Sequence, residues 1–397
     1  MRVLFVSALN PYPPVSGGQR FAYDQLRAYA SFAEVDLIAY YDETEPEVPR
    51  LLREGLGDVC RSIISVPMRL KFGKHRKSQM LTMLRSQLSA KPFLYHKFRQ
   101  PTMVERLRSL EPYDLAHFDH LSTMGLFDCV KAKVKIGSDF DVEWEIFEKY
   151  AENATNPLAK LLFKREAAKV KRYEIERLNL MNGAIAISPR DASILASNGV
   201  RPPMMVFKKP TPVPEQPLVS FGTAEPRVVT LGMLTWMPNL SATLWFAENV
   251  WPLLKSTHPE VRWHIAGADP PEEVQRLHDG ERCFVEGFVD DLDSFLAKCR
   301  VCAVPLTIGG GIRIKLLDMM SIGLPCVSTT LGATGLENDA IAIVDDPKAF
   351  AEEIVLLMTD ERHWREKSEA GREFVRANFS PESAQAEFRS FIQERMA

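Results

Sequence analysis

Gly309, Gly310 and Gly311 lead into Arg313 and Lys315, with Asp318 three residues further on. Glycines ahead of a helix leave backbone N–H groups unshielded at the positive end of the helix dipole, which suits a phosphate. Arg313 and Lys315 add formal positive charge at the same place. Asp318 lies one helical turn beyond Lys315 and can accept from a sugar hydroxyl. Leu316, Leu317, Met319 and Met320 give the helix a buried face, Gly323-Leu-Pro325 stops it, and Cys326-Val-Ser328 begins a strand. The segment therefore reads as a phosphate site. The plainer alternative is an ordinary Gly-rich turn with a surface ion pair between Lys315 and Asp318.

Other residues of the right type fall at strand ends. The first strand runs into Asn10-Pro-Tyr-Pro-Pro-Val-Ser-Gly17-Gly18. Its prolines make a wide loop rather than the tight glycine turn of a dinucleotide site, and Gly17 and Gly18 precede a helix, where backbone can approach a ligand. His117, Asp119 and His120 close another strand. His120 and Asp119 fall where cleft residues belong, whereas His117 sits inside the strand and reads as structural. The acidic run Ser138-Asp-Phe-Asp-Val-Glu-Trp-Glu145 is expected to be a solvated loop. In the second half Gly232, Trp236 and Asn239 follow one strand, Gly267 ends the next, and Gly287-Phe288-Val289 leaves a third. Turns of this kind hold a base edge through backbone hydrogen bonds; for Trp236 the alternative is core packing.

From Cys60 through Val104 there is no Asp or Glu, while Arg61, Arg69, Lys71, Lys74, Arg76, Lys77, Arg85, Lys91, Lys97 and Arg99 all fall there among apolar residues. Such a mixture suits an anionic membrane surface, each cation contributing on the order of 1 kcal/mol. Arg69, Lys71, Lys74, Arg76 and Lys77 are the expected membrane or acceptor patch; a mobile cationic loop is the alternative. The whole chain carries a net charge of -3 and no nucleic-acid-binding motif, so nucleic acid is not expected as a partner.

The elements that must carry these residues alternate. Strand-like runs at Val3–Ala8, Val35–Tyr40, Ile63–Val66, Leu115–Phe118, Lys133–Gly137 and Gly183–Ser188 are separated by helical stretches. The same pattern resumes at Arg227–Gly232, Arg262–Ala266, Cys283–Glu286, Val301–Val304, Pro325–Ser328 and Ile341–Val344. Alternation of this kind predicts parallel sheets covered on both faces. Prolines 202, 203, 210, 212, 214 and 217 interrupt it. The expected class is α/β: two Rossmann-like, doubly wound parallel-sheet domains facing across a cleft. The first domain spans 1–205, a Pro-rich linker 206–222 and the second domain 223–380, with 381–397 a helix crossing back to the first. At 397 residues the chain has length for two cores. Its apolar runs stay short of the roughly 18 residues of a membrane span. The six cysteines are scattered and read as reduced core thiols, Cys299-Arg-Val-Cys302 having no second pair or His cluster beside it.

In this order the motifs resemble a GT-B glycosyltransferase of the retaining family 4, in the subgroup of bacterial polysaccharide-assembly sugar transferases. The resemblance rests on Pro-Pro-Val-Ser-Gly-Gly after the first strand, Trp236-Met-Pro-Asn239 with Leu244-Trp-Phe246, Gly287-Phe-Val-Asp290 and Gly309 to Pro325. It also includes Arg165-Glu-Ala through Arg172-Tyr-Glu174 to Ile187-Ser-Pro-Arg-Asp191. The resemblance implies two donor-site glutamates separated by seven residues. Aligned on Gly323 and Pro325, they fall at Gly310 and Asp318, so the first is absent and the second shortened. The role implied for Asp318 is to hold ribose hydroxyls. The family's Arg and Lys after the first strand of the second domain are replaced by Thr235 and Trp236. Neutralisation of the diphosphate therefore passes to Lys315, helped by Arg313 and the backbone near Gly311 and Ile312. His120 matches the family histidine that contacts the donor sugar or a phosphate.

The activity this implies is retaining, metal-independent transfer of a sugar from a nucleotide-diphosphate sugar to a glycan or lipid-linked acceptor. The setting is surface polysaccharide or glycoconjugate assembly. No cofactor or metal is expected; Asp139-Phe-Asp141 has the spacing of a metal-binding pair but lies in the acceptor-side domain. The expected location is the cytoplasm, peripheral at the inner face of the membrane. The donor base stays open between uridine and guanosine. Two alternatives stand beside this activity: a nucleotide-sugar epimerase on the same fold, and a catalytically silent nucleotide-sugar-binding subunit, which the missing glutamate at Gly310 would suit.

Overall fold

A computed structural model of the chain describes residues 1–70, 75–308 and 313–397, with the side chains of Arg76 and Lys77 outside the description. Two compact units result. The first comprises Met1–Lys208 with Gln385–Ala397, and the second Lys209–Ala384.

Among the described residues the first unit is built on seven parallel strands: β1 (Arg2–Ser7), β2 (Glu34–Asp42), β3 (Ser62–Met68), β4 (Tyr113–Asp119), β5 (Ala132–Asp139), β6 (Gly183–Ala186) and β7 (Met204–Val206). Their order is β3-β2-β1-β4-β5-β6-β7. Central strands covered on both faces need apolar residues at consecutive positions, and β1 meets this with Val3, Leu4, Phe5 and Val6 all buried. Val3 pairs with Val35 on one side and Leu115 on the other. The chain order reverses between β1 and β4, and ligand sites of open α/β sheets lie at the carboxyl ends of such strands. The last helix, Pro381–Met396, brings Phe388 against Tyr29 and Phe207 at ring-centroid distances of 4.8 and 5.4 Å.

The second unit has six parallel strands among its described residues: β8 (Arg227–Leu231), β9 (Arg262–Ala266), β10 (Cys283–Gly287), β11 (Val301–Val304), β12 (Cys326–Ser328) and β13 (Ile341–Ile343). Their order is β10-β9-β8-β11-β12-β13, with the reversal between β8 and β11. The Pro-rich segment packs on this unit instead of hanging free. Val219 is buried in its core, Leu218 N–H donates to Ile322 O (3.0 Å), and Thr211 N–H donates to Phe379 O (2.7 Å). All six cysteines are buried. Among the described residues, no helix is long and apolar enough to cross a membrane.

The structure also holds elements that the sequence pattern did not announce. Strand β7 is one, and the helices Val48–Leu56, Arg76–Gln87, Phe93–Phe98 and Glu143–Asn153 are others.

Candidate functional site

In the second unit the loops after β8, β9 and β10 are stitched together by backbone. Gly232 N–H donates to Ala266 O (3.0 Å) and Gly267 N–H to Gly287 O (2.7 Å). A Cβ on Gly267 would lie 2.0 Å from Gly232 O, and one on Gly232, whose φ is +145°, would lie 2.6 Å from the Asn239 amide. Both glycines are therefore demanded by close packing of the loops. Beyond Gly287, whose φ is +67°, Phe288 stands exposed and Val289 packs partly against the core. An open groove of about 450 Å³ runs along this end of β10, lined by Pro270, Gln275, His278, Val285, Glu286 and Gly287.

Trp236 is not core: it is 46% exposed and caps the helix Met237–Asn249. The Arg313 guanidinium lies 5.9 Å from the centre of its ring. Arg313 is only 6% exposed, and among the described residues neither its Nε nor its Nη2 has a hydrogen-bond partner. It stands at the N-cap of the helix Ile314–Ser321. A buried cation with unused donors at the positive end of a helix is a strong attractor for an anion. Burial pulls its pKa below the usual arginine value. Gly309, Gly310, Gly311 and Ile312, the triglycine corner of the sequence expectation, lie outside the described residues.

Lys315 has partners within its own unit. Its ammonium donates to Leu231 O (2.8 Å) and to Asn239 Oδ1 (2.9 Å), while Asn239 Nδ2 donates to Met233 O (3.0 Å). Burial lowers its pKa to about 8. Lys315 thus ties the helix to the loop after β8. Asp318 faces Lys209, whose ammonium sits 2.5 Å from Oδ1.

In the first unit Gly17 and Gly18 begin the helix Gly17–Ala30 under a capping box made by Ser16 and Gln19. A Cβ on Gly17 would meet open space. His117 is a core residue: its ring stacks on Phe5 at 4.5 Å, Nδ1 bonds Tyr29 Oη (3.0 Å) and Nε2 bonds Ser138 Oγ (2.9 Å). Complete burial lowers its pKa to about 3.

His120 follows β4 with φ +77°, a conformation that costs a non-glycine residue about 1–3 kcal/mol. Its Nδ1 accepts from Ser122 N–H (3.1 Å), and Nε2 lies 2.6 Å from Glu143 Oε1. Burial opposes the imidazolium, yet Glu143, Asp139 and Asp119 outweigh it and raise the pKa to about 9. Both ring nitrogens are therefore engaged within this unit. The acidic run is not the solvated loop expected, because β5 and the helix Pro157–Leu178 enclose it. Asp139 is 2% exposed and Glu143 is buried beside Glu174. Burial and mutual repulsion push the carboxyls of Asp139 and Glu174 well up. Asp119 is also driven up by burial, to about 7, despite the Ser7 hydroxyl donating to it at 2.6 Å.

Four cations of the acid-free stretch face acids from elsewhere. Arg61 forms two hydrogen bonds to Asp36, Arg69 bonds Glu43 (2.9 Å), Lys91 approaches Glu176 (3.4 Å) and Arg99 grips Asp128 through two bonds of 2.7 Å. Lys71 and Lys74 lie outside the described residues, as do the side chains of Arg76 and Lys77. The exposed feature here is apolar: Met80, Leu81, Leu84 and Leu88, on and just after the helix Arg76–Gln87.

Residues 225–360 match the family model described as Glycosyl transferases group 1. A Klebsiella pneumoniae protein described as an uncharacterized 44.6 kDa protein in the cps region is 21% identical over 374 residues, covering 89% of this chain and 90% of its own length. The crystal structure of Anabaena HepE in complex with UDP superposes with a TM-score of 0.63 at 14% identity, covering 99% of this chain and 100% of its own. Sucrose-phosphate synthase from Thermosynechococcus elongatus gives a TM-score of 0.67 at 15% identity, covering 99% of both chains. Residues 225–360 thus resemble the Glycosyl transferases group 1 family, and the two parallel-sheet units have the fold of solved GT-B glycosyltransferases.

Proposed function

We propose that this chain transfers a sugar from a uridine diphosphate sugar to a glycan or lipid-linked acceptor, with retention of anomeric configuration. The observation that carries the proposal is Arg313: a buried guanidinium with unused donors, beside exposed Trp236 at a helix N-terminus. It takes the diphosphate. Lys315 supports it at one remove, by fixing Leu231 and Asn239. Asp318, steadied by Lys209, accepts from the ribose hydroxyls. The base lies along the groove by Gly287, against Phe288 and Val289. Uridine is favoured because HepE, alike over 99% of this chain, was crystallised with UDP. The Klebsiella relative of the cps region supports a role in polysaccharide assembly.

In the reaction the bond from the anomeric carbon to the β-phosphate oxygen breaks. The acceptor oxygen bonds to that carbon on the same face, and its proton passes to the departing diphosphate. Arg313 and the helix end stabilise the charge that develops on the leaving group. No step at the diphosphate is assigned to a metal. The work is placed in the cytoplasm at the inner face of the membrane, with Met80, Leu81, Leu84 and Leu88 meeting the lipid.

Calorimetric titration with UDP and GDP, followed by transfer assays with the tighter base, tests this. Arg313→Ala should weaken UDP binding and cut transfer by about 10²–10³-fold. An Arg313→Ala protein that binds UDP and turns over like the parent refutes the assignment. UDP binding without transfer or hydrolysis favours the silent binding subunit.

A further inference from the structure

We propose that His120, Asp139 and Glu143 form a divalent-cation site in the first unit, of the kind that takes Zn²⁺ or Mn²⁺. One nitrogen or oxygen from each of the three side chains lies within 4.8 Å of the other two. An imidazole nitrogen with two carboxylates is a donor set for these ions, whereas Ca²⁺ takes six to eight oxygens.

The second, independent observation is the state of Asp139. It is 2% exposed, and among the described residues no N–H or O–H group donates to either of its oxygens. Its acidic neighbour Glu174 can bridge to it only through a shared proton, and Glu174 Oε2 also lacks a donor. An ion pair between His120 and Glu143 leaves Asp139 unexplained. A cation accounts for all three groups.

The surroundings fit a ligand shell. Ser122 N–H and Oγ lie 3.1 and 2.8 Å from His120 Nδ1, an arrangement that turns Nε2 toward the cluster. Glu174 Oε1 accepts from the Glu143 backbone N–H (3.3 Å), holding that residue in place. Binding displaces the Nε2 proton and the proton held between Asp139 and Glu174, so protons leave as the ion enters. The site lies in the unit that does not carry Arg313, and the inference does not depend on the transfer proposed above.

The test uses the full chain, stripped with a chelator and titrated separately with Zn²⁺ and Mn²⁺. One ion per chain is expected, with a raised melting temperature and a binding heat that changes with buffer because protons are released. Asp139→Asn and Glu143→Gln should each weaken binding at least about tenfold. The side-chain amide introduced by Asp139→Asn can donate to Glu174, so that protein should fold; Glu143→Gln gives the same readout independently. Glu353→Gln, which removes the partner of His363 (2.7 Å), should change nothing. Two results overturn the proposal. One is that neither ion binds at about 1 mM, a level at which even weak extracellular-type sites fill, so the acids hold a proton instead. The other is that Asp139→Asn binds like the parent.

Discussion

The two sheets share a strand order around their reversal points and carry opposite chemistry there. At the ends of β4 and β5, Asp119, Asp139 and Glu143 surround one imidazole. In the second unit Arg313 and Lys315 face an aromatic ring, a carbonyl and an amide. The backbone is managed differently too. Both units hold a non-glycine residue at positive φ, His120 at +77° and Asp269 at +50°, but the second also uses Gly232 and Gly267 to let two loops touch. Topology thus decides where a site can form, and the few side chains at strand ends decide what it attracts.

The glycine contact offers the sharpest way to break the comparison. Gly267→Ala puts a methyl 2.0 Å from the Gly232 carbonyl, which is backbone and has no rotamer to give. A loss of more than about 4 kcal/mol is expected, confined to the second unit. Hydrogen exchange resolved by segment checks it: β8 to β10 should lose protection while β1 to β5 keep theirs. An alanine variant with unchanged protection contradicts the proposed crossing of these loops.

Acidity should separate the units next. His117 titrates near 3 in the fold against about 6.5 when unfolded. Between those values the unfolded chain binds the extra proton, so the first unit loses stability as pH falls through that window, on the order of 4 kcal/mol in all. His117→Gln should flatten this loss. Lys315 titrates near 8 folded and about 10.5 unfolded, so the second unit gains stability as pH rises across that range. Lys315→Met should remove that gain, and by a smaller amount because its stem is partly exposed. Melting curves from pH 4 to 10 test both; a variant with its parent's slope refutes the corresponding assignment.

How much of this was legible follows from where burial comes from. The central strands announce themselves because two covered faces demand consecutive apolar residues, as in Val3 to Val6. Strand β7 escaped because it is three residues long beside Pro202 and Pro203. Arg313 could be found, since its place before a helix is written locally. The bonds of Lys315 to Leu231 and Asn239 were not legible because these residues lie 84 and 76 positions away in sequence. The acidic run looked solvated for the same reason: Glu174 and the helix that closes over Asp139 are distant in sequence. The only local hint was the carboxylate spacing of Asp139, Asp141 and Glu143.

The basic stretch shows the same lesson from its other side and gives the smallest predicted effect on the fold. Charge counted along the sequence pointed to cations as the membrane contact, but Arg61, Arg69, Lys91 and Arg99 face acids in space. Among the described residues Leu84 and Leu88, the latter at 93% exposure, stand outward beside the exposed Arg85. If lipid meets this face, leucines should matter more than paired arginines. Replacing Leu84 and Leu88 with Ser should leave folding within about 0.5 kcal/mol, because neither side chain is packed. Each leucine buried at a lipid boundary contributes about 1–2 kcal/mol, so the double variant should lose roughly 30-fold or more in co-sedimentation with anionic vesicles. Arg69→Gln should lose little, because its charge is already spent on Glu43. The opposite ranking would return the contact to the cations.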